Sequence, residues 1–430
     1  MMNTYADGFT GAVLAAEGIR GMSAFINGPG GCRSRMQILL KELIRDYEQE
    51  STGCCRSRYF SRQSRLPCSY LNSNDMILGS AEKIAGGLSS VMDHSDSDIV
   101  MIDTLGASMQ VTDEIAAIKS TGASERVLQA GGYLSGMDMY EGFDDTIEKI
   151  VEHICDGDTD VMRGSVNVLG YGMFDSGWEF GTESIRSMIM SAGATSVRFI
   201  GCGCGVSEVK ESQSAEFNVL IHPEASTRTA EYYHREFGIP YIIPKMGSPI
   251  GYPSIFSFLD EISSFMGHNA DAASGEVEEE KVAVDKMLMN QDKILNEFRG
   301  AGMSLTGIAS DVYPLMEWLF SHLTLVPEQV TLTGVNDTHR RCISDMLSEI
   351  GCEDIGSDPR VVLTDGMSAA YGKMSGSDAS FIPISMPYSS GVSLVDRSLV
   401  GTHGCRYILD EILNGIGRFV CGQPTMADFR

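Results

Sequence analysis

Short apolar runs alternate with amphipathic stretches over most of the chain, and this alternation constrains the fold more than any other feature of the sequence. It is strongest from residue 164 onward, where the apolar runs lie at 165–172, 196–201, 216–222 and 239–244. Apolar runs of this length predict buried strands, and the stretches between them predict helices that cover a sheet. Regular alternation of the two predicts a parallel, doubly wound sheet.

The same alternation occurs in two other parts of the chain. The C-terminal part repeats it with apolar runs at 303–310, 329–334, 360–364 and 379–385. Residues 1–155 show it less regularly, with predicted strands at 21–27 and 97–104 and predicted helices at 34–47 and 80–92. We therefore expect an α/β protein with three Rossmann-like subdomains, each built on a parallel sheet.

The domain boundaries follow from shifts in composition. The polar, acidic stretch 268–281 is the best linker candidate, and a long helix is predicted after it. We expect an N-terminal subdomain at 1–160, a second at 161–268, the linker and long helix at 269–299, and a third subdomain at 300–400. A C-terminal amphipathic helix is expected at 401–430.

Composition excludes several classes of function. The 430 residues include 32 basic and 58 acidic side chains, a formal charge of -26, which argues against binding to nucleic-acid phosphates. No apolar run approaches the roughly 20 residues that span a bilayer, and the N-terminus shows no export signal, so we expect no membrane association and a cytoplasmic location. The eleven cysteines form no disulfide framework and are expected to be thiols.

Parallel α/β sheets bind ligands at the carboxyl ends of their strands, where the chain turns into loops. This rule selects the loops that follow Ile26, Ile102, Gly170, Ile200, Ile221, Ile308 and Thr333.

Cys32 lies in the first of these loops, behind the turn Gly28-Pro29-Gly30-Gly31. Glycines allow the backbone to approach a ligand closely. Two interpretations stay open from the residues alone. Cys32 is a buried thiol after a tight turn, or it is a thiolate, stabilised by Arg33 and Arg35, that binds iron or attacks an electrophile.

Other cysteines are weaker candidates. Cys202 and Cys204 follow a predicted strand, and if the segment is extended both sulfurs point into one cavity. A C-x-C pair without a second pair is weak evidence for a metal site, so packing of small residues is the favoured interpretation. Cys54, Cys55 and Cys68 occur in a polar, arginine-rich stretch and rank lower.

Familiar catalytic motifs are absent from the sequence. The eight histidines show no zinc-hydrolase spacing, and His222 and His403 are interpreted as capping or core residues. The sequence contains no phosphate-binding loop, no nucleophile elbow and no dinucleotide fingerprint. A nicotinamide cofactor is therefore not expected.

Four segments, in order, resemble the nitrogenase component 1 type oxidoreductases. The first, residues 11–32, resembles a Gly-Ala-rich helix followed by an "HGPxGC" motif, with Asn27 in place of histidine. The others resemble the elements "EKDIVFGGEKKL", "FGIPY" and "GYxGxxxLxxEIxN" of the family, and they occur here as "NSNDMILGSAEKIAGGL", "AEFNVLIHPEASTRTAEYYHREFGIPYI" and "GTHGCRYILDEILNGI". The resemblance covers nearly the whole chain.

This resemblance implies three Rossmann-like subdomains and a paired, homologous sister subunit. It further implies a [4Fe-4S] cluster at the subunit interface that is reduced by an ATP-dependent iron protein. The resemblance also implies that the cavity between subdomains can bind a further metallocluster or a tetrapyrrole. Gly28, Gly31, Cys202 and Cys204 are then expected near bound cofactor, and Cys32 is expected to be a cluster ligand.

The chain departs from the family members that supply three cysteines. No cysteine precedes Cys32, and Gly106 or a neighbour stands where the third is expected. The pattern resembles the single-ligand subunits, namely the B subunit of light-independent protochlorophyllide reductase and the β-like subunit of the nitrogenase cofactor scaffold. A partner would then supply three ligands, whereas a homodimer suffices if Cys54, Cys55 or Cys68 replaces a missing ligand.

Two functions follow as expectations from the resemblance. The first is a subunit of a nitrogenase-like, two-component, ATP-dependent reductase that acts on a small molecule such as a tetrapyrrole. The second is a non-catalytic scaffold that holds a metallocluster during assembly, with Cys202 and Cys204 as transient ligands. A diverged subunit without a cluster is a third alternative.

Overall fold

The computed structural model describes residues 7–43, 66–104, 111–130, 134, 136–157, 159–334, 336–351, 359–387 and 395–420. Within these ranges the chain is a mixed α/β protein whose named strand pairs are all parallel. The predicted fold class, three Rossmann-like units with parallel sheets, is confirmed. The predicted domain boundaries stay a proposal.

The first unit contains a three-stranded sheet in the order β2-β3-β4 and the helices that cover it. Its elements are α1 (Gly8–Glu17), β1 (Ile19–Arg20), β2 (Met22–Asn27), α2 (Gly30–Leu43), α3 (Ser73–Leu78), α4 (Ala81–His94), β3 (Asp98–Asp103), α5 (Val111–Ser120), β4 (Val127–Ala130) and α6 (Met139–Ile154).

The second unit contains a four-stranded sheet in the order β6-β5-β8-β9. Its elements are β5 (Met162–Leu169), α7 (Trp178–Ser191), β6 (Ser196–Phe199), β7 (Cys204–Gly205), α8 (Val206–Glu211), β8 (Ala215–Leu220), α9 (Thr227–Phe237), β9 (Tyr241–Ile242) and α10 (Tyr252–Phe265).

The third unit contains a four-stranded sheet in the order β11-β10-β12-β13. The elements of this part of the chain are α11 (Asp271–Leu288), α12 (Asp292–Leu295), β10 (Gly302–Gly307), α13 (Ala309–Leu323), β11 (Val326–Leu332), α14 (Asp337–Ile350), β12 (Val361–Asp365), α15 (Gly366–Met374), β13 (Ser380–Ser385) and α16 (Gly401–Val420).

Two local predictions differ from the structure. The polar stretch expected as a linker is helical, because α11 begins at Asp271 and its spaced apolar residues Ala273, Val277 and Val284 are buried. Helix α2 begins at Gly30 rather than near residue 34, so the second half of the Gly-Pro-Gly-Gly turn is already helical. Cys32 therefore lies in the first turn of a helix rather than in an open loop.

The three units share their interior. One hydrophobic cluster joins the second and third units, with Tyr252 and Trp318 packed edge to face at a centroid distance of 6.0 Å. A second cluster joins the first and second units. Strand β1 also pairs with β7, which aligns Ile19 with Cys204. These contacts bring strand ends from different units close together, and the candidate sites lie at such ends.

Candidate functional sites

Two polar groupings lie at the carboxyl ends of the parallel strands. The first is the cysteine loop, which we define as residues 27–33 together with residues 66–71. The second is the His222 cluster, which we define as Asp175, His222 and Asp311 with the supporting residues Glu224, Ser248 and Ser310.

The backbone of the cysteine loop is tightly held. Gly28 follows β2 and donates its N–H to Ser69 Oγ at 2.9 Å, while its carbonyl accepts from Leu71 N–H at 2.9 Å. A Cβ at this position would lie 2.2 Å from Thr104 Oγ1, so the close approach of the two strand ends requires glycine. At Gly31, by contrast, a Cβ would meet no atom within 4 Å. The loop is closed against its own sheet at Gly28 and open to its surroundings at Gly31.

Cys68 is the second thiol of the cysteine loop. Residues 66–71 run beside β2, with a parallel bridge between Ile26 and Cys68. Cys32 is half-buried and packs against the hydrophobic cluster to which the buried Cys68 belongs. Burial raises the pKa of Cys68, the N–H of Tyr70 and the charge of Arg33 lower it, and the neighbouring Cys32 raises it again. Both thiols thus lie close to the carboxyl end of β2.

The two arginines after Cys32 have separate roles. Arg33 donates through Nε to the carbonyl of Leu66 at 2.9 Å, and its guanidinium lies 5.6 Å from the ring centroid of Tyr70. Arg35 forms a two-pronged ion pair with Asp7, with Nη1–Oδ2 at 3.0 Å and Nη2–Oδ1 at 3.1 Å. Arg33 therefore ties the two halves of the cysteine loop together, and Arg35 ties α2 to the start of α1.

A buried polar network lies directly behind the cysteine loop. Asn27 occupies the position of the family's histidine, and its amide donates to Asp103 Oδ1 at 3.1 Å and Glu114 Oε1 at 3.0 Å. Its Oδ1 accepts from Ser69 Oγ at 2.9 Å. Glu114 also accepts from Gln129 at 3.1 Å. Asparagine therefore anchors β2, β3, α5 and the Cys68 segment to one another.

Asp103 and Glu114 are two carboxyl groups that share this buried network. Burial is the largest cause that raises the pKa of Asp103, the charge of Glu114 adds to it, and the result is about 8. Burial also raises the pKa of Glu114, against the hydrogen bonds that it accepts. One proton is therefore retained between the two carboxyl groups near neutral pH.

Cys202 and Cys204 do not follow the extended geometry on which their predicted shared orientation depends. Gly201 and Gly203 have positive φ angles of 89° and 75°, and residues 200–203 form a turn. Cys202 packs in the cluster that joins the second and third units, whereas Cys204 packs in the cluster of the first and second. Burial raises the pKa of Cys202, and it raises that of Cys204 to about 11. Both are packed as core thiols.

Several residues singled out from the sequence lie outside the described residues. They include Cys54, Cys55 and Gly106, the last of which stands near the position of the family's third cysteine. Cys68 is the member of its group that the structure describes, and it lies at the cysteine loop.

The His222 cluster is assembled from three strand ends. Asp175 follows β5, His222 follows β8, and Asp311 lies in the first turn of α13 after β10. Strands β5 and β8 are adjacent in the second sheet, whereas β10 belongs to the third sheet. His222 Nε2 lies 2.9 Å from Asp175 Oδ1, and its Nδ1 lies 3.6 Å from Asp311 Oδ1. The imidazole is therefore held between carboxylates of two units.

Serine hydroxyls and a third carboxylate complete the His222 cluster. Nδ1 of His222 lies 3.1 Å from Ser310 Oγ and 3.2 Å from Ser248 Oγ. Ser248 donates to Asp311 Oδ1 at 2.6 Å. Glu224 accepts from the backbone N–H of Ser310 at 3.0 Å and from its hydroxyl at 2.9 Å. The cluster is thus continuous and almost entirely buried.

The electrostatics of the His222 cluster are dominated by its carboxylates. Burial alone lowers the pKa of His222, but the charges of Asp175 and Asp311 outweigh burial and raise the pKa to about 9. Burial raises the pKa of Asp311 to about 6, although the charge of His222 lowers it. Tyr171 stacks on the imidazole at a centroid distance of 5.9 Å and limits the access of water.

Sequence reasoning classed His222 as a core or capping residue and passed over Asp175 and Asp311. The sequence nevertheless indicated their positions, because all three lie in loops at the carboxyl ends of predicted strands, where parallel sheets bind ligands. These are the loops after Gly170, Ile221 and Ile308. The rule did not indicate that these three loops meet, because they belong to two different sheets.

The family assignment rests on the whole chain. The sequence profile of the family described as "Nitrogenase component 1 type Oxidoreductase" matches residues 8–416. The chain belongs to this family. The resemblance expected from the four sequence segments is therefore confirmed.

Individual relatives and solved structures are similar to part or all of the chain. The chain is similar to the B subunit of the light-independent protochlorophyllide reductase of Nephroselmis olivacea, with 27% identity over 133 residues. The match spans 29% of this chain and 24% of that relative. Among solved structures, the chain is similar to "Nitrogenase Cp1 at pH 6.5", with a TM-score of 0.78, 15% identity, and coverage of 100% of this chain and 96% of that chain. A second solved structure, "Nitrogenase Cp1 at pH 5", is similar with a TM-score of 0.67 and 14% identity. The match covers 99% of this chain and 91% of that chain. These structural likenesses show the fold.

Two further observations concern the surface of the protein. A shallow depression of about 320 Å³ lies between β11 and α14, and its described lining residues include neither cysteine, histidine nor carboxylate.

Among the helices of the described residues, none is sufficiently long and apolar to cross a bilayer.

Proposed function

We propose that the chain is a subunit of a nitrogenase-like, two-component, ATP-dependent reductase, and that Cys32 is its ligand to an interfacial [4Fe-4S] cluster. The observation that carries the proposal is the half-buried Cys32 after β2, packed against the hydrophobic cluster that contains Cys68, in a chain that matches the family over residues 8–416. Cubane clusters are held mostly by cysteine thiolates.

The cysteine loop fits part of such a ligand set. Cys32 is half-buried, next to an open Gly31. Cys68 accepts an N–H from Tyr70 at 3.3 Å, and hydrogen bonds to sulfur are among the features that tune iron-sulfur potentials. When bound, the cluster would supply one-electron transfer. The chain's own residues would hold it, position the loop through Gly28 and Asn27, and exclude water on the inner side.

Apolar side chains flank the cysteine loop on the outer surface. Tyr70 is 50% exposed, and Ile77 and Leu78 on α3 are 79% and 84% exposed. On α2, Ile38 is 55% exposed. Ile77 and Leu78 are adjacent on α3, and adjacent exposed apolar residues are typical of protein interfaces. They support our proposal that another subunit covers this face and completes the cluster.

The number of thiols in the cysteine loop limits which partner can complete the ligand set of the cluster. The loop offers two thiols where a cubane cluster needs about four ligands. A sister subunit that supplies three cysteines completes a set with Cys32 alone, as the resemblance implies. A second copy of this chain completes it if Cys68 also binds. An ATP-dependent iron protein is the proposed electron donor in either case, and a small molecule such as a tetrapyrrole is the proposed substrate.

The alternative function, a scaffold for metallocluster assembly, depended on Cys202 and Cys204 sharing one cavity. The two thiols pack in different hydrophobic clusters, so this observation no longer favours a scaffold.

The proposal is tested by anaerobic purification of the full chain, alone and together with the homologous sister subunit encoded beside it. Iron and acid-labile sulfide are measured per chain, and the reduced protein is examined by electron paramagnetic resonance. We expect a [4Fe-4S] signal that Cys32→Ala abolishes. Cys342→Ala removes another half-buried thiol, on α14, and serves as the matched control.

The outcomes separate the alternatives. Loss of iron in both Cys32→Ala and Cys68→Ala, with iron in the chain purified alone, favours the homodimer. Loss in Cys32→Ala only, with iron in the mixed complex only, favours the sister subunit. An iron-free wild-type complex, or full iron in Cys32→Ala, would contradict the proposal and favour a diverged subunit without a cluster.

A further inference from the structure

The His222 cluster concentrates negative charge in the protein interior. Asp175, Asp311 and Glu224 lie within one hydrogen-bonded network, and His222 is the basic side chain that contacts them. Over the described ranges, neither lysine nor arginine forms an ion pair with these three carboxylates. Buried charges are normally paired or coordinate a metal, so this network has fewer cations than its carboxylates require.

We propose that Asp175, His222 and Asp311 form a mononuclear binding site for a divalent first-row transition-metal ion, such as Mn²⁺, Fe²⁺, Co²⁺ or Zn²⁺. One imidazole nitrogen and two carboxylates make a mixed nitrogen and oxygen donor set that suits these ions. Thiolates, which would select softer ions or clusters, are not part of the set.

The spacing of the donors fits a single ion. One ligand atom from each of the three residues lies within 4.8 Å of the others. Ligand bonds of about 2.1 Å place opposite ligands about 4.2 Å apart. Asp175 and Asp311 contact different ring nitrogens of His222, so binding of one ion by one nitrogen requires the second carboxylate to turn toward it. The three residues follow β5, β8 and β10, which keep their backbone positions close together without the ion.

The surrounding residues resemble the outer hydrogen-bond partners that orient metal ligands. Ser248 donates to Asp311, and Ser248 and Ser310 both lie within 3.2 Å of His222 Nδ1. Glu224 fixes Ser310 through two hydrogen bonds. Such partners set the direction and basicity of ligands and strengthen metal binding. Tyr171 and Phe174 close the site with aromatic rings at 5.9 and 6.2 Å from the imidazole centroid.

The site would join the second and third units, since Asp311 comes from the third and the other two ligands from the second. It is separate from the cysteine loop and does not depend on the proposed function. A metal-free alternative is an imidazolium ion clamped between two carboxylates, and the experiment is designed to distinguish it.

The test uses the full chain carrying Cys32→Ala and Cys68→Ala, so that these two thiols do not bind the added ion. After treatment with EDTA, Co²⁺ is titrated anaerobically at pH 7 and followed by its visible d–d absorption and by calorimetry. We expect about one Co²⁺ per chain, without the intense sulfur-to-metal charge-transfer band of a thiolate ligand. His222→Ala and Asp311→Asn should weaken binding by roughly 100-fold or more.

His403→Ala removes an exposed histidine on α16 and should leave Co²⁺ binding unchanged. If His222→Ala or Asp311→Asn fails to fold, as judged by circular dichroism, Asp175→Asn decides, because Asp175 as a whole residue is half-buried whereas His222 and Asp311 are buried. Absence of Co²⁺ binding at millimolar concentration overturns the proposal. Binding that is equally tight in a folded His222→Ala or Asp175→Asn variant overturns it as well, since the ion would then lie elsewhere.

Discussion

The cysteine loop and the His222 cluster both lie at the carboxyl ends of parallel strands, but their surroundings are opposite. The cysteine loop contains the half-buried Cys32, the open Gly31 and, beside it, the exposed side chains of Ile77 and Leu78. The His222 cluster is buried, and its three potential ligands come from one chain. The loop offers part of a donor set to an outer surface, whereas the cluster holds its donors inside.

This difference separates a region suited to binding across an interface from one suited to holding the units together. In the cysteine loop, hydrogen bonds hold the backbone and the Asn27 network, and the half-buried Cys32 packs at the margin of the hydrophobic cluster to which Cys68 belongs. In the His222 cluster the functional side chains are themselves structural, because each buried charge depends on the next. Substitutions should therefore affect the stability of the two regions very differently.

The largest effect is expected for His222→Ala in the metal-free protein. It removes the basic group between Asp175 and Asp311 and leaves both carboxylates buried without a counter-charge. We expect a loss of about 3–5 kcal/mol in the free energy of unfolding. Urea denaturation followed by circular dichroism measures the loss, with His403→Ala as the control that should stay within about 0.5 kcal/mol. A loss below about 1 kcal/mol would show that charge pairing does not stabilise the cluster.

The second-largest effect on stability is expected at one of two glycines of the cysteine loop. Gly28→Ala places a methyl group against Thr104 and should cost about 1–3 kcal/mol through overpacking, with displacement of the loop. Gly31→Ala meets no atom and should change stability by at most about 1 kcal/mol, in the direction of better helix propensity. Urea denaturation of both variants measures the difference between their free energies of unfolding. Equal effects would refute the distinction between a closed inner and an open outer side.

A pH-dependent effect is expected behind the cysteine loop. The folded protein keeps the Asp103 proton up to a pKa of about 8, whereas the unfolded chain releases it near the usual value of 3.8. Between these values the unfolded state binds fewer protons, so stability falls as pH rises. Asp103→Asn retains the hydrogen bonds of the protonated acid and should remove this fall, which is roughly 1 kcal/mol per pH unit.

Denaturation midpoints of wild type and Asp103→Asn between pH 5 and 8 check this prediction. Asp345→Asn, an exposed residue of α14, is the control and should follow the wild-type curve. Parallel curves for wild type and Asp103→Asn would show that Asp103 is already ionised in the folded protein at pH 5.

The smallest effect is expected for Cys32→Ala in the iron-free chain. Its thiol is half-buried, so the free energy of unfolding should fall by about 1 kcal/mol or less. Cys204→Ala, which removes a buried core thiol, should cost more. Thermal and urea denaturation check the order. A reversed order would mean that Cys32 contributes to the core rather than to the outer surface.

The fold was largely predictable from local pattern. The helix expected at 80–92 spans Ala81–His94, and the strand expected at 21–27 spans Met22–Asn27. The acidic stretch before Lys281 was harder, because glutamate and alanine are good helix formers while polarity alone indicates a linker. The helical start at Gly30 was missed because glycine indicates a turn more strongly than a helix.

The sequence by itself determined the family, the parallel α/β class and the position of Cys32 at a strand end, because periodicity and ordered motifs are local properties of the chain. Only the tertiary structure decided which strand ends meet. It placed Cys68 next to the end of β2 in the same loop as Cys32, packed Cys202 and Cys204 in different hydrophobic clusters, and brought Asp175, His222 and Asp311 together from segments far apart in sequence. The physical reason is that packing between sheets, rather than spacing along the chain, determines these distances.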